Sequence, residues 1–256
     1  MYPNLSIFPM KLTTTLALLR AVTAFVRGGH PPVWVRGGAL HAAPKEIKLY
    51  YGDMPFWRAE CLRVALFIGD VPFVDVRDEP RDALKAAGKM PFGAVPVLEV
   101  DGKILSQTQA MAAYCGSLTK LRPEDPWLAA KCDEAINGCT DVTTTIGATF
   151  RLPDEEKIAA REALLAPDGR LTMHLGGLER LIRENGTGYV VGASLSVADL
   201  AIWRLAGWLT SGVIDGLPDI STQFPAITKL CALVDAHPKV EEWKIQHPSN
   251  YPGANS

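Results

Sequence analysis

Two short stretches carry the residues whose types and spacing could do chemistry. Pro96 lies near the start of the apolar run Val95-Pro96-Val97-Leu98-Glu99-Val100. A proline donates no ladder hydrogen bond, so it belongs at a sheet edge or a strand start. An edge placement leaves backbone groups near Val95 free to pair with an extended peptide. A few residues on, Gln107-Thr108 opens a helix. The unpaired N–H groups and positive dipole end there favour a ligand carboxylate, and a hydroxyl and an amide add donors. The cysteines point to no such chemistry. Cys61, Cys115, Cys132, Cys139 and Cys231 are odd in number, scattered and free of any C-x-x-C pair. They read as buried, reduced thiols, with no disulfide framework and no zinc spacing.

The elements that must position these residues follow from periodicity. Ile47 to Tyr51 reads as a strand, and residues 58–69 as a helix with Leu62, Ala65 and Leu66 on one face and Gly69 near its end. Phe73 to Val76 is a second strand, followed by a polar helical piece over 81–87. The run 95–100, the Asp101-Gly102 turn and Lys103-Ile104-Leu105 make a hairpin, because Asp-Gly between apolar runs is a strong hairpin signal. A helix over 107–119 completes the order β-α-β-α-β-β-α, which predicts a mixed sheet with helices. Leu121 to Pro126 is a linker with two prolines, and helical periodicity alone continues to residue 246. The expected organisation is a leader or linker over 1–44, an α/β domain over 45–120, an all-α domain over 126–246 and a tail over 247–256.

Met90 to Thr108, MPFGAVPVLEVDGKILSQT, resembles the glutathione-binding core of soluble glutathione transferases, closest to the sigma-like class. Lys48-Leu49-Tyr50-Tyr51 and Arg58-Ala59-Glu60 are similar to that family's first strand and helix start. Ser196 and Asp199, at S-x-x-D spacing with Leu195 and Leu200 as a hydrophobic staple, resemble its helical capping box. The resemblance covers about 200 of the 256 residues. It implies a thioredoxin-like N-terminal domain, an all-α C-terminal domain and glutathione as co-substrate.

The resemblance also implies roles. Tyr51 takes the place of the catalytic tyrosine, donating to the glutathione sulfur. A free thiol of pKa about 8.5 is only ~3% ionised at pH 7, and lowering it by ~2 units takes ~2.7 kcal/mol of differential stabilisation. Tyr50 is the rival, since alternation puts one of the two on the ligand side. Arg58 supports thiol ionisation, Lys85 reaches the glycyl carboxylate, and Val95 pairs with the cysteinyl backbone beside a cis Pro96. Gln107 and Thr108 hold the γ-glutamyl group. Asp141 matches the acid that reaches across a homodimer to the γ-glutamyl amine, with a solvated helix-face aspartate as its rival. Met54, Phe56, Trp57 and Phe150 are candidates for the apolar electrophile pocket.

The sequence departs from the family pattern in several places. One extra residue separates Tyr51 from Arg58, and Arg81 stands where many relatives carry a ligand-contacting tryptophan. The usual Gln-Ser is Gln-Thr, and two extra residues precede Met90. Ala148, Asn137 and Thr140 replace an aromatic and acids of the prostaglandin D synthases, so no metal is expected and prostaglandin isomerisation is disfavoured. The expected activity is conjugation of the thiolate to hydrophobic electrophiles. Glutathione-dependent peroxide reduction or isomerisation at the same site is one alternative, and a non-catalytic binding or structural module is another.

Charge separates the front of the chain from the rest. The total of 26 basic and 28 acidic residues gives a net charge of -2. Residues 1–45 hold Lys11, Arg20, Arg27, Arg36 and Lys45 and no acid, leaving 21 basic against 28 acidic residues, a net of -7, for 46–256. An acidic body without a basic stripe disfavours nucleic acid as a partner. The apolar stretch Leu12 to Val26 is too short to span a bilayer and contains Arg20. Its acid-free, Arg-bearing composition is that of an organellar presequence, placing the protein in a mitochondrion or plastid; a disordered tail in a cytoplasmic protein is the alternative.

Overall fold

The computed structural model describes residues 44–251, and the leader reading lies outside them. Four strands form one mixed sheet. Strand β1 (Ile47–Tyr50) pairs in parallel with β2 (Val74–Val76) and antiparallel with β3 (Val97–Val100). Strand β4 (Lys103–Ser106) pairs antiparallel with β3, so the order is β2-β1-β3-β4. Asp101 and Gly102 both sit at positive φ, 48° and 77°, as a two-residue type I′ hairpin turn requires. The Asp101 carboxylate also accepts from the Lys45 and Glu46 amides, each at 2.9 Å, tying the start of β1 to this turn.

The helices within this half are α1 (Trp57–Ile68), α2 (Arg81–Ala86) and α3 (Thr108–Thr119). Their bounds fall within one residue of those expected from periodicity. Gly69, which ends α1, has no room for a side chain: a Cβ there would lie 2.5 Å from Thr119 of α3. The remainder is helical: α4 (Pro126–Gly147), a 3₁₀ turn over Ala148–Arg151, α5 (Asp154–Leu164), α6 (Arg170–Asn185), α7 (Val197–Leu209), α8 (Pro225–Asp235) and α9 (Pro238–Gln246). This is a thioredoxin-like α/β part followed by an all-α part.

One core runs through both parts. Helix α1 packs most extensively against α7 and α3, and α4 packs on α6 and α7. Helix α7 is almost wholly buried, which its apolar composition demands. Its N-terminus needs internal partners, and Ser196 and Asp199 supply them. The Asp199 carboxylate accepts from the Ser196 amide (2.7 Å) and from the Val190 amide (2.8 Å). The Leu121 carbonyl accepts from the Val197 amide (2.8 Å), joining the proline-bearing linker to the same helix start.

Of the two placements open to Pro96, a sheet edge and a strand start, the structure takes the second. Pro96 is not on an edge, because β3 lies between β1 and β4. It precedes the strand, whose ladder begins at Val97, so no ladder bond is lost and Val95 lies outside the ladder.

Candidate active site

Tyr51 follows the last residue of β1, and its amide donates to the Val76 carbonyl (3.1 Å), holding it beside β2. The ring is half-buried, and its hydroxyl has no hydrogen-bond partner among the described residues. Burial pushes the hydroxyl above its ordinary pKa of 10.0, opposed by the charges of Arg58, Arg63 and Arg81. At neutral pH it is therefore a donor. Tyr50 points elsewhere in function. It is 5% exposed, its hydroxyl donates to Glu99 (2.8 Å) and accepts from Lys89 (2.7 Å), and Lys89 and Glu99 are themselves paired at 2.8 Å.

Two adjoining hollows meet at Val95. The first, about 250 Å³, is lined by Tyr51 with Met54, Arg77, Arg81 and Leu84, and also by Tyr50. The second, about 280 Å³, is lined by Arg58, Phe92, Pro96, Ser106, Gln107 and Thr108. Together they form a groove over the ends of β1 and β3 and the start of α3. The Val95–Pro96 bond is cis. Gln107 stands at φ 72°, ψ 118°, immediately before α3, a conformation uncommon for a residue with a side chain. Such strained positions cluster at ligand sites. Arg58 lies 5.0 Å from the Trp57 ring and has no ion-pair partner among the described residues. Burial lowers its pKa and the charge of ionised Tyr51 opposes that shift.

Six of the eight residues singled out for glutathione therefore lie on one groove: Tyr51, Arg58, Val95, Pro96, Gln107 and Thr108. Lys85 does not join them; it is exposed on α2 and lines neither hollow, whereas Arg81 from the same helix lines the first. Asp141 is exposed on α4 and lines a separate hollow of about 580 Å³ with Asn137, His174 and Arg180.

An aromatic cluster lies next to the loop that leaves Tyr51. Phe56 meets Trp208 edge-on at 5.0 Å, and Phe150 lies 6.4 Å from Trp208. Met54 and Phe150 are about half exposed; Met54 lines the first hollow, and Phe150 lines neither. Trp57 is excluded from that role: it is 0% exposed, and its indole donates to Thr143 (2.8 Å). Trp208 was missed, since only the packing of α7 brings it to Phe56. Glu60 and Arg63 were also missed. Their signal was visible as opposite charges three residues apart on a helix that is otherwise largely apolar.

The cysteines fit no catalytic role. Cys61, Cys115, Cys132 and Cys139 are buried, all five are free, and burial pushes Cys115, Cys132 and Cys231 up to about 12. Among the described residues, no group of three His, Cys, Asp or Glu is placed to hold a metal, and no helix is long and apolar enough to cross a membrane.

This groove, on a thioredoxin-like part followed by a helical one, has counterparts in known proteins. A family model described as "Glutathione S-transferase, C-terminal domain" matches residues 140–247. Glutathione S-transferase 1 of Ascaris suum is 30% identical over 210 residues, covering 79% of this chain and 97% of that protein. Mouse glutathione S-transferase A2 is 28% identical over 196 residues, 75% of this chain and 85% of that protein. Among solved structures, the prostaglandin synthase D of Nilaparvata lugens is 30% identical with a TM-score of 0.67, covering 79% of this chain and 98% of that one. The chain belongs to the glutathione S-transferase family.

Proposed function

We propose that the protein is a transferase that joins the glutathione thiolate to hydrophobic electrophiles, with Tyr51 stabilising the thiolate. One observation carries this reading: Tyr51, its hydroxyl protonated and without a hydrogen-bond partner among the described residues, lines a groove that also holds Val95, cis Pro96, Gln107 and Thr108. Val95 pairs with the cysteinyl backbone, placing the sulfur at Tyr51. The Gln107 side chain and the start of α3 receive the γ-glutamyl carboxylate. Arg58 adds a positive charge that favours thiolate over thiol. Holding the nucleophile and electrophile together supplies the remainder of catalysis. The commitment of Tyr50 to Glu99 and Lys89 supports Tyr51 over its rival.

Met54, Phe56, Phe150 and Trp208 form the apolar side that takes the electrophile. Asp141 serves a second copy of the chain in a homodimer, its carboxylate meeting the partner's γ-glutamyl ammonium. Lys85 reaches the glycyl carboxylate only through its flexible stem, and Arg81 is its nearer competitor. No step uses a metal.

Purified protein with glutathione and a chlorodinitrobenzene-type electrophile tests the reading. Conjugation that falls in Tyr51→Phe and persists in Tyr50→Phe supports it, and full activity in Tyr51→Phe refutes the assigned role. Running peroxide and isomerisation substrates alongside separates conjugation from the alternative chemistries. Retention on glutathione resin without turnover of any substrate would instead identify a binding module.

A further inference from the structure

The loop Gly52–Phe56 leaves Tyr51, contributes Met54 to the groove and sets Phe56 against Trp208. It has no regular secondary structure, yet it is held from behind along most of its length. Arg63, 0% exposed, donates to the carbonyls of Gly52 and Met54 at 3.1 Å each, while also meeting Glu60 at 3.1 Å and Asp75 at 3.0 Å. Arg204 donates to the Pro55 carbonyl at 3.0 Å. The other end of this network is the C-terminal segment. Glu60, also 0% exposed, accepts from the Tyr251 hydroxyl (2.7 Å) and the Trp243 indole (2.8 Å) on one oxygen. Asn250 donates to Asp53 of the loop at 3.1 Å. Tyr251 is fixed in turn, stacked on Trp203 at 6.0 Å with Arg204 4.9 Å from its ring.

We propose that Tyr251 and Asn250 are positioning residues for the electrophile side of the site, acting through Glu60–Arg63 and through Asp53 on the loop that carries Met54 and Phe56. This rests on the transferase reading of the groove. The physical reason is that a buried carboxylate and guanidinium hold fixed geometry only while every partner is in place. Removing the Tyr251 hydroxyl withdraws one of the donors that fix Glu60, and Arg63 then holds the two loop carbonyls less firmly. The glutathione half of the groove, built from Val95, Gln107 and Thr108, receives no bond from this network.

The test compares Tyr251→Phe and Asn250→Ala with Leu175→Ala, which cuts a buried apolar contact in α6, a helix that carries no member of the network. Each full-length variant is read by amide hydrogen exchange over residues 52–56 and by kinetics with glutathione and a chlorodinitrobenzene-type electrophile. Losing one bond of ordinary net strength predicts about 3- to 10-fold faster loop exchange and a similar rise in electrophile KM, with glutathione KM within about twofold. Leu175→Ala should lower the melting temperature and change neither. Wild-type exchange and electrophile KM in both tail variants would overturn the proposal, as would the same changes in Leu175→Ala. Absence of conjugation in the wild type would refute the transferase reading alone, and the exchange rates would still decide whether the tail positions the loop.

Discussion

The groove and the cluster behind its loop use the same residue types in opposite ways. In front, the Tyr51 hydroxyl and the Arg58 guanidinium have no hydrogen-bond or ion-pair partner among the described residues. Behind, Glu60, Arg63 and Tyr251 are saturated by one another and by backbone carbonyls. Even adjacent tyrosines divide this way, Tyr50 committed to Glu99 and Lys89 and Tyr51 free. Polar groups out of water are costly unless paired, whereas a donor on an open groove wall can be left to solvent and stays available to a ligand. A saturated one is part of the frame.

The largest effect that would break this contrast belongs to the frame. Glu60→Ala takes the fully buried one of the two carboxylates that pair with Arg63, leaving only Asp75, and breaking a buried pair typically costs about 3–5 kcal/mol, with the remaining partner placing the loss at the lower end. Urea denaturation should show that loss, and a change below about 1 kcal/mol would mean that the cluster is not what holds α1 to the loop. Next comes the ligand side. Tyr51→Phe removes a hydrogen bond to an anion, worth about 1.5–3 kcal/mol, so kcat/KM should fall about 10- to 150-fold. The melting temperature should hardly move, since the hydroxyl has no hydrogen-bond partner among the described residues.

Arg58→Ala should reduce kcat/KM about tenfold, roughly 1.4 kcal/mol. The apparent pKa of the pH–rate profile should rise, because a lost positive charge disfavours the thiolate; an unmoved profile would assign Arg58 to structure alone. The smallest effects concern Tyr50 and Glu99. Tyr50→Phe should keep kcat/KM within about twofold while costing about 1 kcal/mol of stability. Lys89 first, then Tyr50, hold the Glu99 carboxyl below its ordinary value of 4.5. A lowered folded pKa means that the stabilisation is present above about 4.5 and is lost as pH falls through the folded value. Glu99→Gln should therefore flatten the acid side of the stability profile below about pH 4.5.

Much of this architecture was legible in the residues. The Asp101-Gly102 turn, the proline at the foot of β3, the start of α3 at Gln107-Thr108 and the Ser196–Asp199 box are local signals, each set by backbone geometry within a few residues. Val95, Pro96, Gln107 and Thr108 could be named for the same reason, as they lie in those signals, whereas Tyr51 and Arg58 were named by the resemblance of the first strand and helix start to the family's. The rest depended on distance in sequence. Trp57 looked available because it is a large apolar residue next to Phe56, yet its indole turns inward to Thr143 on α4. Trp208 joins Phe56 across more than half the chain. Lys85 and Arg81 occupy one short helix, and only the packing of α2 sets Arg81 against the groove.

The sequence by itself determined the order of strands and helices over 47–119 and the succession of helices that follows Pro126 among the described residues. Periodicity, turns and caps act over a handful of residues and are written into them directly. Tertiary structure alone decided which tyrosine is free, that Pro96 opens an interior strand, and that a tail residue, Tyr251, reaches Glu60 behind the Tyr51 loop. Those facts depend on which buried polar group finds which partner, and that pairing exists only once distant segments have packed together.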